Sequence, residues 1–252
     1  MKKKIQIHKK NELIRGTDDL SVYAKRMLNT IYYIVQKNEL YDNKYFIVEA
    51  RKLRDYLGLK NITGYTEIIR QTLDELQEKK IELHNYYDPL QKQLFTWLPI
   101  HFLQYPTGEY KDEKSGLLKF QIALNPLIRH LMKIKKNFTK LDLIPYTLKF
   151  RSKYNYKLYE FLKSFENYNY IRISLKHLNK LLNTDKKYPS KMLELLKRNI
   201  KELREKTDLK NLEVEYVKSE GHFKITINPK SKRTPPPNAV IHNIINKTIK
   251  KF

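Results

Sequence analysis

Lys187, Lys191, Glu194, Arg198 and Lys201 recur at steps of three and four residues. On a helix that spacing puts them on one face. Met192, Leu196 and Ile200 fall on the other, and Tyr188 and Ser190 flank the helix start. The polar face can recognise nucleic acid. Ammonium groups neutralise phosphates. A guanidinium can donate paired hydrogen bonds to guanine O6 and N7, and a carboxylate can accept from cytosine N4. Arg198 and Glu194 are the candidates for those base contacts. Lys187, Tyr188, Ser190 and Lys191 are placed nearest to base edges or phosphates. Residues 187–206 carry seven basic and three acidic groups, a net +4.

A second stretch, 63–80, offers Thr63, Thr66 and Arg70, with Lys60, Asn61 and Tyr65 beside a turn. It carries three basic and four acidic groups, a net −1. A helix in a major groove lies between two rows of phosphates, so the positive stretch is expected to supply most of the affinity. Lys92, Lys218, His222 and Lys224 sit in candidate hairpins and are expected to position rather than specify.

Catalytic patterns are missing. With no cysteine, disulfides, zinc-thiolate sites and cysteine nucleophiles are excluded. The six glycines form no phosphate-binding loop, which excludes that route to ATP hydrolysis. No two of the seven histidines are spaced to aim at one metal. The 19 tyrosines raise the possibility of a nucleophile, but no Arg/His set clusters around any of them. Glu109-Tyr110-Lys111 matches the end of a nuclease metal motif, against which stands a solvated loop. The expected site therefore has no catalytic residue, no cofactor and no metal.

The 252 residues carry a formal charge of +24. A single-sign field of that size attracts polyanions. It is spread along the chain: +10 over 1–140, +8 over 141–229 and +6 over 230–252. Lys outnumbers Arg 40 to 11, which codon bias can explain; the shortage of acid it cannot. No apolar run reaches the ~18 residues of a membrane span, and no apolar segment follows the basic start, so a cytoplasmic protein is expected.

Two sets of elements must position these residues. Apolar spacing from Leu20 to Val35 predicts a helix capped by Asp18 or Asp19. A strand is expected over 45–48, a helix over 49–57 ending at Gly58, and a helix over 64–80 capped by Asn61 or Thr63. Strands are expected over 81–87, 93–104 and 116–124, with 108–115 a loop. The second half repeats the order: helix 153–165, strand 170–173, a helix capped by Ser174, and a helix from Pro189 to about Lys206. A hairpin, 212–217 and 223–227, closes it. Helix, turn, helix and antiparallel hairpin make a winged helix. The expected fold is α+β, with two tandem winged-helix domains at 1–140 and 141–229. A basic, proline-containing tail, 230–252, opens with Pro235-Pro236-Pro237, and its last residues have helical apolar spacing.

Three blocks resemble the iteron-type plasmid replication initiator (Rep) family. They are His8-Lys9-Lys10-Asn11-Glu12-Leu13-Ile14 followed by Ala24-Lys25-Arg26; Ser152-Lys153-Tyr154 running into Leu158-Tyr159-Glu160-Phe161-Leu162-Lys163; and Leu196-Lys197-Arg198-Asn199-Ile200-Lys201-Glu202-Leu203 with Thr207-Asp208-Leu209. The resemblance implies binding of double-stranded DNA at direct origin repeats and opening of adjacent AT-rich DNA. It implies recruitment of a host initiator and a replicative helicase. It also implies a monomer–dimer equilibrium, with the dimer formed through the N-terminal domain. A transcriptional repressor of the same fold, or a metal-dependent nuclease or nickase, is the alternative.

Overall fold

A computed structural model describes residues 6–88, 90–133, 136–142, 150 and 152–234. Pro89, the three prolines at 235–237 and the apolar tail lie outside the described residues. The fold is mixed α/β with antiparallel strand pairing. Two compact units are present: Met1–Asn11, Asp18–Ile81 and Pro99–Lys153 in the first, and Glu12–Thr17, Glu82–Leu98 and Tyr154–Phe252 in the second.

In the first unit, β1 (Gln6–Lys10) pairs with β7 (Phe138–Asp142), Ile7 opposite Leu141. Helix α2 (Val22–Lys37) follows. Its cap is Ser21, whose hydroxyl accepts the N–H of Ala24, rather than Asp18 or Asp19. Asp18 instead binds Lys25, a nearly buried ion pair, which removes it from capping. Strand β2 (Phe46–Glu49) leads directly into α3 (Ala50–Leu57). Gly58 ends α3 at φ 72°, the left-handed conformation glycine adopts without a Cβ penalty. Helix α4 (Tyr65–Glu78) starts at Gly64, also left-handed, so neither Asn61 nor Thr63 caps it.

The hairpin beside α4 differs from expectation. Residues 108–115 are not all loop: β5 (Gly108–Lys111) is a strand, followed by β6 (Leu118–Ile122). The sheet order is β2-β6-β5. Strand β5 is exposed at every position, so it lacks the apolar alternation that marks a strand. Asp112 ties its turn, accepting from Ser115 and from Lys119 at 2.7 Å. The expected strands 81–87 and 93–104 form a separate hairpin, β3 (Lys80–Asp88) and β4 (Gln93–His101). Lys92 belongs to that hairpin and not to the sheet holding β2. Leu53, Leu57, Ile69, Leu76, Phe120, Ile122 and Ile128 fill the first unit's core. Strands β1 and β7, α1 (Asn11–Arg15) and α5 (Pro126–Lys133) lie outside every segment that apolar spacing predicts.

The second unit follows its sequence closely. Helix α6 (Lys153–Lys163) is buried from Asn155 to Leu162. Strand β8 (Tyr170–Ser174) runs into α7 (Leu175–Leu182), capped by Ser174 through the N–H of His177. Helix α8 (Pro189–Lys206) begins with proline in its first turn, where a missing N–H is harmless. Strands β9 (Glu213–Val217) and β10 (His222–Thr226) form a hairpin turned by Gly221 at φ 66°. The sheet order is β8-β10-β9. Met192, Leu196, Leu203, Phe223, Ile225, Leu178 and Phe161 are buried, each contributing about 1.5–3 kcal/mol by removal from water.

The two three-stranded sheets share one topology. A strand enters a helix, a second helix follows, and a hairpin returns with its later strand in the centre. The first differs by an insertion. The β3–β4 hairpin, most of which groups with the second unit, interrupts its chain between the second helix and the returning hairpin.

Candidate nucleic-acid interface

In the second unit the turn between α7 and α8 is built on Asn179. Its carboxamide donates to the Lys186 carbonyl at 2.8 Å and accepts from the Lys186 N–H at 2.9 Å and the Thr184 hydroxyl at 2.8 Å. Asn183 ends α7 in the left-handed region. The turn is thereby held against α7, and α8 starts in a fixed direction.

Helix α8 buries Met192, Leu195, Leu196, Asn199, Ile200 and Leu203. Lys187, Lys191, Glu194, Arg198 and Lys201 are exposed, as is Ser190, and Tyr188 is 67% exposed at the N-cap. All seven residues are therefore accessible, and helical spacing sets Lys191, Glu194, Arg198 and Lys201 on one face of α8. Glu194 stands 3.6 Å from Lys191, a loose pair between exposed groups.

A groove of about 490 Å³ runs between α8 and β9–β10. Lys197, Lys201 and Arg204 line it from the helix, and Glu213, Glu215 and Lys224 from the sheet. Lys197 and Arg204 are not among the expected contacts. They form a second stripe on α8 with Lys201, visible in the spacing but without meaning until β9 is placed beside it.

The hairpin residues differ in freedom. Lys218 is exposed at the turn. His222 is half-buried, its Nδ1 against the Glu220 carbonyl. Lys224 pairs with Glu215 at 3.0 Å and lies 5.5 Å from the Tyr170 ring centre. Arg172, also outside the expected set, lies 5.2 Å from the same ring and 3.1 Å from Glu220.

In the first unit, Lys60, Asn61 and Thr63 are exposed on the turn before α4, while Tyr65 and Thr66 are half-buried. The Arg54 guanidinium lies 5.4 Å from the Tyr65 ring centre. Arg70 is exposed but engaged: its Nε donates to Glu109 at 2.8 Å and its Nη1 to Glu67 at 2.9 Å. These hydrogen bonds raise its pKa further above the ordinary guanidinium value. Lys111 and Lys114, exposed on β5 and its turn, are hidden in the sequence because that stretch reads as loop.

Among the described residues, no helix is long and apolar enough to cross a membrane. Among them, no group of three His, Cys, Asp or Glu side chains is placed to hold a metal ion.

The family model described as "Initiator Replication protein, WH1" matches residues 6–163. No curated protein sequence matches the chain. Among solved structures, one of selenomethionine derivatives of domains 2 and 3 of RctB is similar at 14% identity, covering 82% of each chain with a TM-score of 0.47. A second structure of RctB domains 2–3 is similar at 12% identity, covering 83% of each chain with a TM-score of 0.40.

Proposed function

Because this chain belongs to the initiator replication protein family, we propose that it is a sequence-specific, double-stranded-DNA-binding plasmid replication initiator. Two tandem winged-helix domains, 1–140 and 141–229, read origin repeats, and 230–252 forms a basic tail. The chain acts in the cytoplasm without enzymatic chemistry. Binding energy is converted into local distortion that opens adjacent AT-rich DNA, at a cost of a few kcal/mol that several bound copies share. Host initiator and replicative helicase are then recruited.

The observation that carries this reading is the exposed face of α8, which sets Lys191, Arg198 and Lys201 in one row around Glu194, with exposed Lys187 just before the helix. On this reading Arg198 and Glu194 face base edges, and Lys187, Tyr188, Ser190, Lys191 and Lys201 border them. Lys218, His222 and Lys224 of the second hairpin touch backbone. Lys60, Asn61, Thr63, Tyr65, Thr66 and Arg70 form the first domain's contacts. Self-association through the first domain, in a monomer–dimer equilibrium, is part of the same reading.

Selection of bound duplexes from a random pool, with sequencing and a salt titration of the winner, tests the proposal. A non-palindromic motif of roughly 20 bp, bound by a monomer, is the expected result for two domains in successive major grooves. A single inverted repeat would favour a repressor. No enriched motif, with steep salt dependence alone, would overturn the reading.

A further inference from the structure

Arg70 is the sole cation in α4, against Glu67, Asp74, Glu75 and Glu78. It does not face solvent freely. Glu109, on the edge strand β5 opposite Phe120 of β6, holds its Nε at 2.8 Å. Glu67, one turn back on α4, holds its Nη1 at 2.9 Å and is itself steadied by Gln71 at 3.1 Å. Two of the five N–H bonds of a guanidinium are thus taken by carboxylates, and three remain.

The corresponding strand of the second unit is arranged differently. In β9, Glu215 is paired with Lys224 on the neighbouring strand. The helix cations Lys197, Lys201 and Arg204 there line an open groove. In the first unit the strand carboxylate reaches the helix instead, and the gap between helix and hairpin is bridged by an ion pair.

We propose that Glu109 is a specificity-determining residue that orients Arg70 and makes it reject phosphate while still accepting a neutral base edge. This rests on the DNA-binding reading above. Two fixed carboxylates beside the guanidinium repel a phosphate by like charge. A guanine edge carries no net charge, and the remaining N–H groups can donate to its O6 and N7. A guanidinium already held in one orientation also loses less side-chain entropy on making that contact. The first domain therefore adds discrimination without adding phosphate contacts at this position.

The test is Glu109→Gln, which removes the charge and keeps the shape, compared with Glu113→Gln, the same charge change at an exposed turn position of that hairpin. Probes are a random-sequence duplex and the duplex enriched by selection. The expected result is several-fold tighter binding of the random duplex by Glu109→Gln than by Glu113→Gln. Its salt slope should steepen by about 0.9 as Arg70 gains a phosphate. The ratio of affinities for enriched over random duplex should fall. The gain should vanish in Arg70→Ala/Glu109→Gln. Equal effects of the two glutamine variants, or a gain that survives loss of Arg70, would overturn the proposal while leaving DNA binding intact. A wild-type protein that binds neither duplex would overturn the DNA-binding reading and this inference with it.

Discussion

Arg198→Ala separates base reading from charge. Arg198 is exposed on α8, and no side-chain hydrogen bond or ion pair to it occurs among the described residues. The nearest carboxylate one turn back, Glu194, leans toward Lys191 at 3.6 Å. On the proposed reading Arg198 therefore meets DNA with no carboxylate already on its guanidinium, unlike Arg70. A bidentate contact with guanine is worth about 1–3 kcal/mol of discrimination, or roughly 5- to 150-fold in affinity for the enriched duplex. A phosphate contact instead costs the same factor on every duplex and lowers the salt slope by about 0.9. Fluorescence anisotropy with enriched and scrambled duplexes at several salt concentrations reads both quantities. Folding stability should stay within about 0.5 kcal/mol, as for an exposed position without special contacts. A loss confined to the enriched duplex is expected. No loss on either duplex, with an unchanged melting temperature, would refute the placement of DNA on this face.

Three further outcomes concern the frame. Ser174→Ala removes the hydroxyl that caps α7 and should cost about 1 kcal/mol in thermal or urea unfolding. Gly221→Ala meets no atom within 4 Å but keeps φ at 66°. It should cost about 1–2 kcal/mol from backbone strain alone, read by the same unfolding curves. Burial, and then Lys180, hold His84 below the ordinary imidazole value of 6.5, against weaker opposing effects of Glu82 and the Thr96 backbone. Its contribution to stability is therefore full above pH 6.5 and lost as pH falls below it toward the lowered value. Melting temperature should fall from pH 7 to about 5.5, and His84→Gln should flatten that fall.

Local signals are legible where a residue acts on its own neighbours. Ser174 and Gly58 start or end helices through hydrogen bonds to residues within four positions, Pro189 starts one through its own fixed φ, and all three stand where the sequence places them. Asp18 fails as a cap because it pairs with Lys25, and that competition depends on burial that spacing does not show. Strand β5 is hidden for another reason. An edge strand with both faces wet needs no apolar alternation, so its composition matches a loop. The hairpin partners of β2 escape the sequence because β2 pairs with β6, far along the chain, and no local pattern encodes that choice. In the candidate site, the α8 face is readable as one helix. The grip of Glu109 on Arg70 is not, because it joins a helix to a strand whose existence is itself hidden.

The blocks that carry the family resemblance do more for the frame than for the surface. Lys163, which closes the second block, meets Asp208 of the third at 2.5 Å. Buried Thr207 donates to the Leu203 carbonyl and accepts from the Leu209 N–H, ending α8. Asn199 is buried and turned back on the Leu195 carbonyl. Within the third block, Lys197, Arg198 and Lys201 are exposed without such bonds among the described residues. Lys187, Tyr188, Ser190, Lys191 and Glu194 fall outside the blocks altogether. A packed frame and a polar face impose different constraints. A buried hydrogen-bonded pair left half-made costs about 1–3 kcal/mol, whereas an exposed lysine can change at little cost to folding. On the proposed reading, the exposed Lys187, Tyr188, Ser190, Lys191 and Glu194 can therefore vary with the DNA to be read while Pro189 and buried Met192 keep the fold the same. On the proposed reading, that division lets one frame serve initiators that recognise different repeats.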